Sequence, residues 1–596
     1  MPCLAASTLA AQAPAFTAKE AVLAEWNRHL PAMGADQLAK LPTSDRARYE
    51  LALARIGAPG APDLLPPELA HPTKELWEEL ARKAKTPEER FNALYFLNRF
   101  KAPDALAALD GLTAADAKSW PAHLHLEAQI ATARIHGGEV SAELKGFLNA
   151  LQEVGKVDPV RAQAARIRLI TAGIEQRLLP LLDATPDAIL STMDAWNQKP
   201  WASRKDDHLA LWWAAASLIV PPPPGKDRNP ISLSQLGLQP SLLPNQAQKW
   251  ALWSRIWDGL PESGRSLNAD QWPIAMPPSN RTIQVHFYSK LPLIADVAKD
   301  AGPNAVYLDR PTDPMLAAAY LPALRQASPK DADALRDRMI ASDSPVARAA
   351  AIDDLPEAPA DLDALAKRCF HDTDLESTLE LFAALNRWKL SEERQKAVLT
   401  PFLQHPDWGW RYQAYLQLKK VDPATAWPSA PPQRPMDKAL LDEAVKFAER
   451  GKPVRLRLTF SGKRVVTLKL DPTVAPINVA NLVLLAKKRF FDGHRVPRVV
   501  PDFVVQMGSP YDTMDGGPGY SVRCEDSTTW YGPGSVGMAL AGKDTGGCQF
   551  FITTNATPHL TGKYTRVGEV EHPDHDLKIL DDMELGAKIE SVRVLE

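Results

Sequence analysis

The residue that most needs a chemical reason is Arg498, set in "HRVPRVVPDFVVQMGSP" (His494–Pro510) among valines and prolines that read as two short buried strands. A guanidinium stays charged at any biological pH, and burying one unpaired is costly. At the mouth of an apolar slot it becomes a rigid, forked donor, and such a preorganised donor acts most strongly where water is partly excluded. Pro501-Asp502 breaks the strand, so Arg498, Phe503 and Gln506 are expected on one surface. Other constellations carry less. "EHPDHD" (Glu571–Asp576) gathers histidines and carboxylates without a fourth-ligand spacing, and reads as a solvated loop. "GGPGYS" (Gly516–Ser521) lacks a following P-loop lysine and is no nucleotide cradle. His371, Asp372 and Asp374 stand at a helix start, where carboxylates serve as caps.

The elements that must position these residues are bounded first by size. A chain of 596 residues exceeds what one hydrophobic core serves, so two or more domains are expected. A formal net charge of -3 leaves no dominant basic footprint, so nucleic acid is not expected as a partner. The cysteines, Cys3, Cys369, Cys524 and Cys548, are too scattered for a disulfide framework or a CxxC metal site. Cys524 and Cys548 read as two separate buried thiols, the alternative being a pair formed on export. No metal and no cofactor are expected. No run reaches the ~18 apolar residues of a membrane span; "LALWWAAASLIV" (Leu209–Val220) reads as a buried helix. "MPCLAASTLAAQAPAF" carries no charge before Lys19 and contains Ala11-Gln12-Ala13, an A-x-A cleavage pattern. Residues 1–18 therefore read as a remnant signal peptide and the location as periplasmic or secreted, with the cytoplasm as the alternative because a basic n-region is missing.

From 19 to 426 the apolar residues recur at i, i+3, i+4 and i+7, the helical period. "TKELWEELARKAK" (Thr73–Lys85) and "PEERFNALYFLNRF" (Pro87–Phe100) are two such helices. Residues 19–314 read as an α-helical scaffold, interrupted by the extended prolines of 220–230. "TIQVHFYS" (Thr282–Ser289) alternates like a lone strand. In 315–426 three segments share a polar start and an amphipathic helix: Ser342–Leu355, His371–Leu385 and Gln404–Leu418. Val346, Leu375 and Trp408 occupy the same place in each, which resembles HEAT-type repeats forming an α-solenoid. The tryptophans, Trp212, Trp213, Trp408 and Trp410 among them, read as packing residues. Residues 427–437, "WPSAPPQRPMD", form a proline-rich linker. Beyond it "VRLRLTF" and "RVVTLKL" alternate with period two around "SGK", a β-hairpin signal, and a helix follows Pro476.

In 438–596 four blocks occur in order: "PRVVPDFVVQMG" (Pro497–Gly508), "GPGSVGMALAGKDTGGCQFFIT" (Gly532–Thr553), "PHLTGKYTRVGEV" (Pro558–Val570) and the terminal "ESVRV". Together they resemble a cyclophilin-type peptidyl-prolyl cis–trans isomerase over nearly all of 452–596. The resemblance implies a closed eight-stranded antiparallel β-barrel capped by two helices, the second lying after Thr529 or within "DHDLKILDDM". It assigns Arg498 as the catalytic donor. Phe503, Val504, Phe551 and Leu560 become the walls of a proline pocket, and Gln506 and Gln549 orient the arginine and the substrate backbone. Ala539 and Leu540 belong to the strand that pairs with the peptide, and His559 and Tyr564 border the pocket. Three departures stand out: Val496-Pro497 before the arginine, Met507 where a glycine is usual, and Leu540 in place of a frequent asparagine.

The reaction asks for little else. Rotation about an X-Pro bond sacrifices amide resonance, a barrier of ~18–20 kcal/mol that makes the uncatalysed step slow. No bond breaks, so an apolar slot for the ring and a fixed donor favouring the twisted amide suffice. The whole chain thus reads as a helical scaffold, holding proline-containing clients or a protein partner, fused to an isomerase that assists folding. The alternative is a catalytically weak or inactive cyclophilin-fold module that binds peptides.

Overall fold

The computed structural model describes residues 17–27, 74–97, 280–290, 313–426, 428, 434–500 and 503–595. Residues 1–16 of the expected signal-peptide remnant, the helix expected at Leu209–Val220, the prolines of 220–230, Cys3 and most of the expected linker at 427–437 lie outside the described residues, as do 501–502; Ala18 opens the helix Ala18–Asn27.

In the C-terminal part the period-two pattern sets the fold. Strand β1 (Val454–Phe460) turns alternate side chains inward, and pairs antiparallel with β2 (Arg464–Leu470). The tight connection requires positive φ at Gly462 and Lys463, and glycine adopts it without a Cβ penalty. Strands β3 (Arg498–Val500), β4 (Val504–Met507), β5 (Ser535–Met538), β6 (Phe550–Thr553), β7 (Arg566–Val570) and β8 (Ile589–Leu595) complete one antiparallel sheet in the order β3-β4-β6-β5-β7-β2-β1-β8. The sheet is curled. Its edge strands β3 and β8 share no ladder; the segments preceding them meet instead, Val496 N–H donating to Ala587 and Gly586 N–H to Val496. That short bridge stands where full barrel closure was expected.

The inward faces form one core with the helix Pro476–Lys487, whose Ile477, Ala480 and Val483 are fully buried. Glu525 caps this helix, accepting from the Ile477 and Asn478 amides at 3.1 and 2.9 Å. The second capping helix is Pro573–Asp581, which decides between the two expected positions. "EHPDHD" is therefore a helix start, not a solvated loop. Asp576 is buried there and accepts from the Thr467 and His572 amides, because the incoming chain needs its amides satisfied next to β2. Cys524 and Cys548 are buried and not joined by a disulfide, as read from the sequence, and Cys369 is buried as well.

The helices expected at 73–85 and 87–100 form at Lys74–Lys83 and Pro87–Leu97, with Trp77 stacked on Phe96 at 4.5 Å. "TIQVHFYS" is no strand: it folds as the helix Arg281–Lys290, packed on Pro314–Ala327 with Tyr288 edge-on to Tyr320. Tertiary contact overrides its β-branched propensity. The three repeat-like segments supply the helices Pro345–Asp353, Glu376–Arg387 and Trp408–Val421, and each packs against the next in line. Asp372 and Asp374 do not cap Glu376–Arg387, whose start carries no side-chain cap. Asp372 is instead the buried partner of Arg348, and Asp374 faces the C-terminal sheet region, accepting from the Gly517 amide. Among the described residues no helix is long and apolar enough to cross a membrane.

Helical segments remote in sequence touch the C-terminal domain directly. The Arg523 guanidinium donates to the Trp26 carbonyl, Asn92 to Thr528, Thr282 to Asp512, and Ser521 to Asp407.

Candidate active site

Sheet register gathers the expected residues. Arg498 pairs with Gln506 across the β3–β4 hairpin, Gln506 pairs with Phe551, and Phe551 with Gly537. Directly opposed residues share a face, so these four form a row across the sheet on its outer side. Met507, one residue on, turns the other way into the core beside Phe550 and is fully buried. Its bulk therefore does not crowd the site. Pro497 precedes the β3 ladder, so its missing N–H costs no pairing with β4.

Arg498 Nη1 donates to Gln506 Oε1 at 3.1 Å, and Gln506 Nε2 donates to Gln549 Oε1 at 3.0 Å. Gln549 Nε2 in turn donates to the carbonyls of Met514 and Gly516, both at 2.9 Å. This relay anchors the guanidinium to a loop. The guanidinium also lies 5.8 Å from the centre of the Phe503 ring. Burial pulls its pKa below the ordinary arginine value, with Tyr564 opposing. Among the described residues no carboxylate forms an ion pair with it.

Beside the arginine a second apolar cluster, separate from the core inside the curled sheet, joins Val504, Phe551 and Leu560 to the half-buried Phe503, Ala539 and Tyr564. His559 stacks on Phe503 at 5.5 Å, and Tyr564 meets Phe551 edge-on at 5.6 Å. Ala539 N–H donates to the Gln549 carbonyl, which holds 539–540 along the edge of the slot. All the residues expected at a site are thus assembled on one side of the sheet, Leu540 among them on the wall of an adjoining cavity.

Three neighbours were not anticipated. Val500 joins the apolar cluster, and Tyr531, 1% exposed, stacks on Phe551 at 6.0 Å. Tyr531 lies in an aperiodic loop and has no pattern to mark it. Gly537 is the third: a Cβ there would come within 2.5 Å of Phe551 Cζ and closer still to Tyr531 Oη. Absence of a side chain in a strand is the usual sign of such a close approach. Gly537→Ala is expected to cost about 1–3 kcal/mol by overpacking, read as a lower denaturant midpoint at unchanged m-value, and to slow turnover by displacing Phe551.

The site also meets the helical region. Gly516 N–H donates to Glu376 Oε1 at 2.5 Å, and Gly517 N–H to Asp374. Burial pushes Asp374 up to about 6, with Asp372 adding to the shift; it pushes Glu376 up to about 7, with Asp374 and Asp515 adding. A carboxyl whose folded pKa is raised stabilises the fold at low pH, and that contribution is lost as pH rises through the folded value. The thermal midpoint is thus expected to fall between pH 5 and 8, with a shallower slope in the Asp374→Asn/Glu376→Gln double variant.

A curled antiparallel sheet with two capping helices thus bears an arginine-edged apolar slot on its outer face. Comparison with known proteins gives the family. Residues 455–595 match the cyclophilin type peptidyl-prolyl cis-trans isomerase/CLD family. A peptidyl-prolyl cis-trans isomerase of Synechococcus elongatus is 40% identical over 133 residues, 22% of this chain and 91% of the relative. Peptidyl-prolyl cis-trans isomerase B of Bacillus subtilis is 42% identical over 131 residues, 22% of this chain and 90% of that one. A Helicobacter pylori enzyme of the same description is 41% identical, covering 22% of this chain and 82% of its own. Through these residues the chain belongs to the cyclophilin-type peptidyl-prolyl cis–trans isomerases and is an enzyme of that class.

Proposed function

We propose that the enzyme turns X-Pro bonds of polypeptide clients with Arg498 as donor to the twisted amide. The proline ring would sit on Val504, Phe551 and Leu560, with Phe503, His559 and Tyr564 at the rim, while Ala539 and Leu540 hold the peptide main chain. One observation carries this reading: the Arg498 fork stands over an apolar cluster, tied by a single side-chain hydrogen bond to Gln506 and by no ion pair among the described residues. Its remaining N–H groups are left for a substrate. As the amide twists, its nitrogen becomes pyramidal and gains a lone pair, and a hydrogen bond to that lone pair exists only in the transition state. Interactions made only there raise kcat.

The helical region would hold the client, raising its concentration at the slot. Successive packing of the helices between 314 and 421 supports a HEAT-like arrangement with an extended surface. Two rates test the combined reading. NMR exchange on an X-Pro tetrapeptide gives catalysis by the slot alone; proline-limited refolding of an unfolded protein gives catalysis with holding. Efficiency at least ten-fold higher on the refolding protein is expected, and equal efficiencies would sink the holding role while leaving the slot intact.

A further inference from the structure

Between the helical region and the catalytic domain lies a cavity of about 120 Å³. That is several times the ~10–15 Å³ of such volume that one water needs. One wall is the site itself: Gln506, Gln549, Ala539 and Leu540. The facing wall comes from the helices, chiefly Asp374, Glu376 and Trp410. This second wall carries unmet polar capacity. Glu376 Oε2 is buried without a hydrogen-bond partner, its other oxygen being held by Gly516. Trp410 is 3% exposed, stacks on His405, and its indole N–H has no partner either. Neither carboxylate forms an ion pair among the described residues, and no basic group offsets their raised pKa values.

Buried carboxylates without a cation are costly, and unpaired buried donors and acceptors are rare enough to demand an occupant. We propose that the helical region completes a substrate subsite beside the proline slot, selecting a lysine or arginine side chain that flanks the X-Pro bond. The ammonium or guanidinium meets Asp374 and Glu376, while the Trp410 N–H is available to a carbonyl of the same peptide. Because the cavity shares Gln506 and Gln549 with the relay to Arg498, a client that fills it also lies along the catalytic edge. This inference rests on the slot assignment above, but its test is separable from that assignment.

The full-length enzyme is assayed at pH 8, where both carboxyls are ionised, on hexapeptides with a central X-Pro bond. One flanking position at a time carries lysine, norleucine or glutamate, and kcat/KM is measured by NMR exchange. At one position lysine is expected to exceed glutamate at least ten-fold, with norleucine between. In Asp374→Asn/Glu376→Gln that ratio is expected to collapse to within two-fold, the lysine peptide losing its advantage over the norleucine peptide. A wild-type enzyme indifferent to charge at every position overturns the proposal without any variant. A preference that survives the double substitution overturns it too. Should the double variant lose all turnover, the single Glu376→Gln, which leaves Asp374 in place to hold the Gly517 amide, replaces it under the same criteria. Loss of all turnover in wild type would instead refute the slot assignment.

Discussion

Arg498→Ala is expected to lower kcat/KM on an X-Pro peptide by about 10²–10³, the loss seen when one preorganised transition-state donor is removed. Peptide affinity should change little, because the apolar cluster of Val504, Phe551 and Leu560 is untouched. Stability should fall only modestly, by about 1 kcal/mol, since the substitution leaves Gln506 Oε1 without its donor. Arg498→Lys sharpens the point: it keeps the charge but gives up the planar fork, so recovery should be partial. Exchange NMR for turnover, calorimetry for binding and a denaturant midpoint for folding separate these quantities. Turnover unaffected by Arg498→Ala would remove the arginine from the mechanism; parallel losses of binding and turnover would make it a packing residue.

The row that places Arg498 was legible in the sequence for a physical reason. A strand has period two, so Arg498 and Gln506 face the same way once their two short strands pair antiparallel, and Phe551 follows from the next strand. The same periodicity resolves Met507, whose odd position puts it in the core. Tyr531 and Gly537 were not legible because their role is a contact with one ring, Phe551, and no local pattern encodes it. The helix at Arg281–Lys290 was misread because its alternation is local while its packing on Pro314–Ala327 is not. The wall of Asp374, Glu376 and Trp410 is the extreme case. It exists only where residues separated by well over a hundred positions meet the glycine loop at 516–517.

What holds that wall in place is a buried ion pair, and its loss should be the largest stability effect in the helical region. Arg348 is 1% exposed. Its guanidinium donates to both Asp372 oxygens at 2.9 and 2.6 Å, and to the Ile340 and Ser342 carbonyls at 2.9 and 2.7 Å. Ser377 adds a hydroxyl donor to the same carboxylate. Asp372 and Ser377 bracket Asp374 and Glu376, so this network fixes the loop that reaches the catalytic domain. Arg348→Met strands a buried carboxylate and is expected to cost about 3–5 kcal/mol, whereas Arg348→Met/Asp372→Leu should recover much of that by removing both charges. The two variants together distinguish loss of a pair from loss of packing. Hydrogen exchange should show amides of Pro345–Asp353 and Glu376–Arg387 losing protection together in the single variant, because the two helices pack directly on each other. Turnover of a neutral X-Pro peptide should persist, since Arg498, Gln506 and Phe551 sit on a sheet with its own core. If unfolding of these helices instead abolished that turnover, the catalytic domain would depend on the helical region for its fold and not only for the second wall of its subsite.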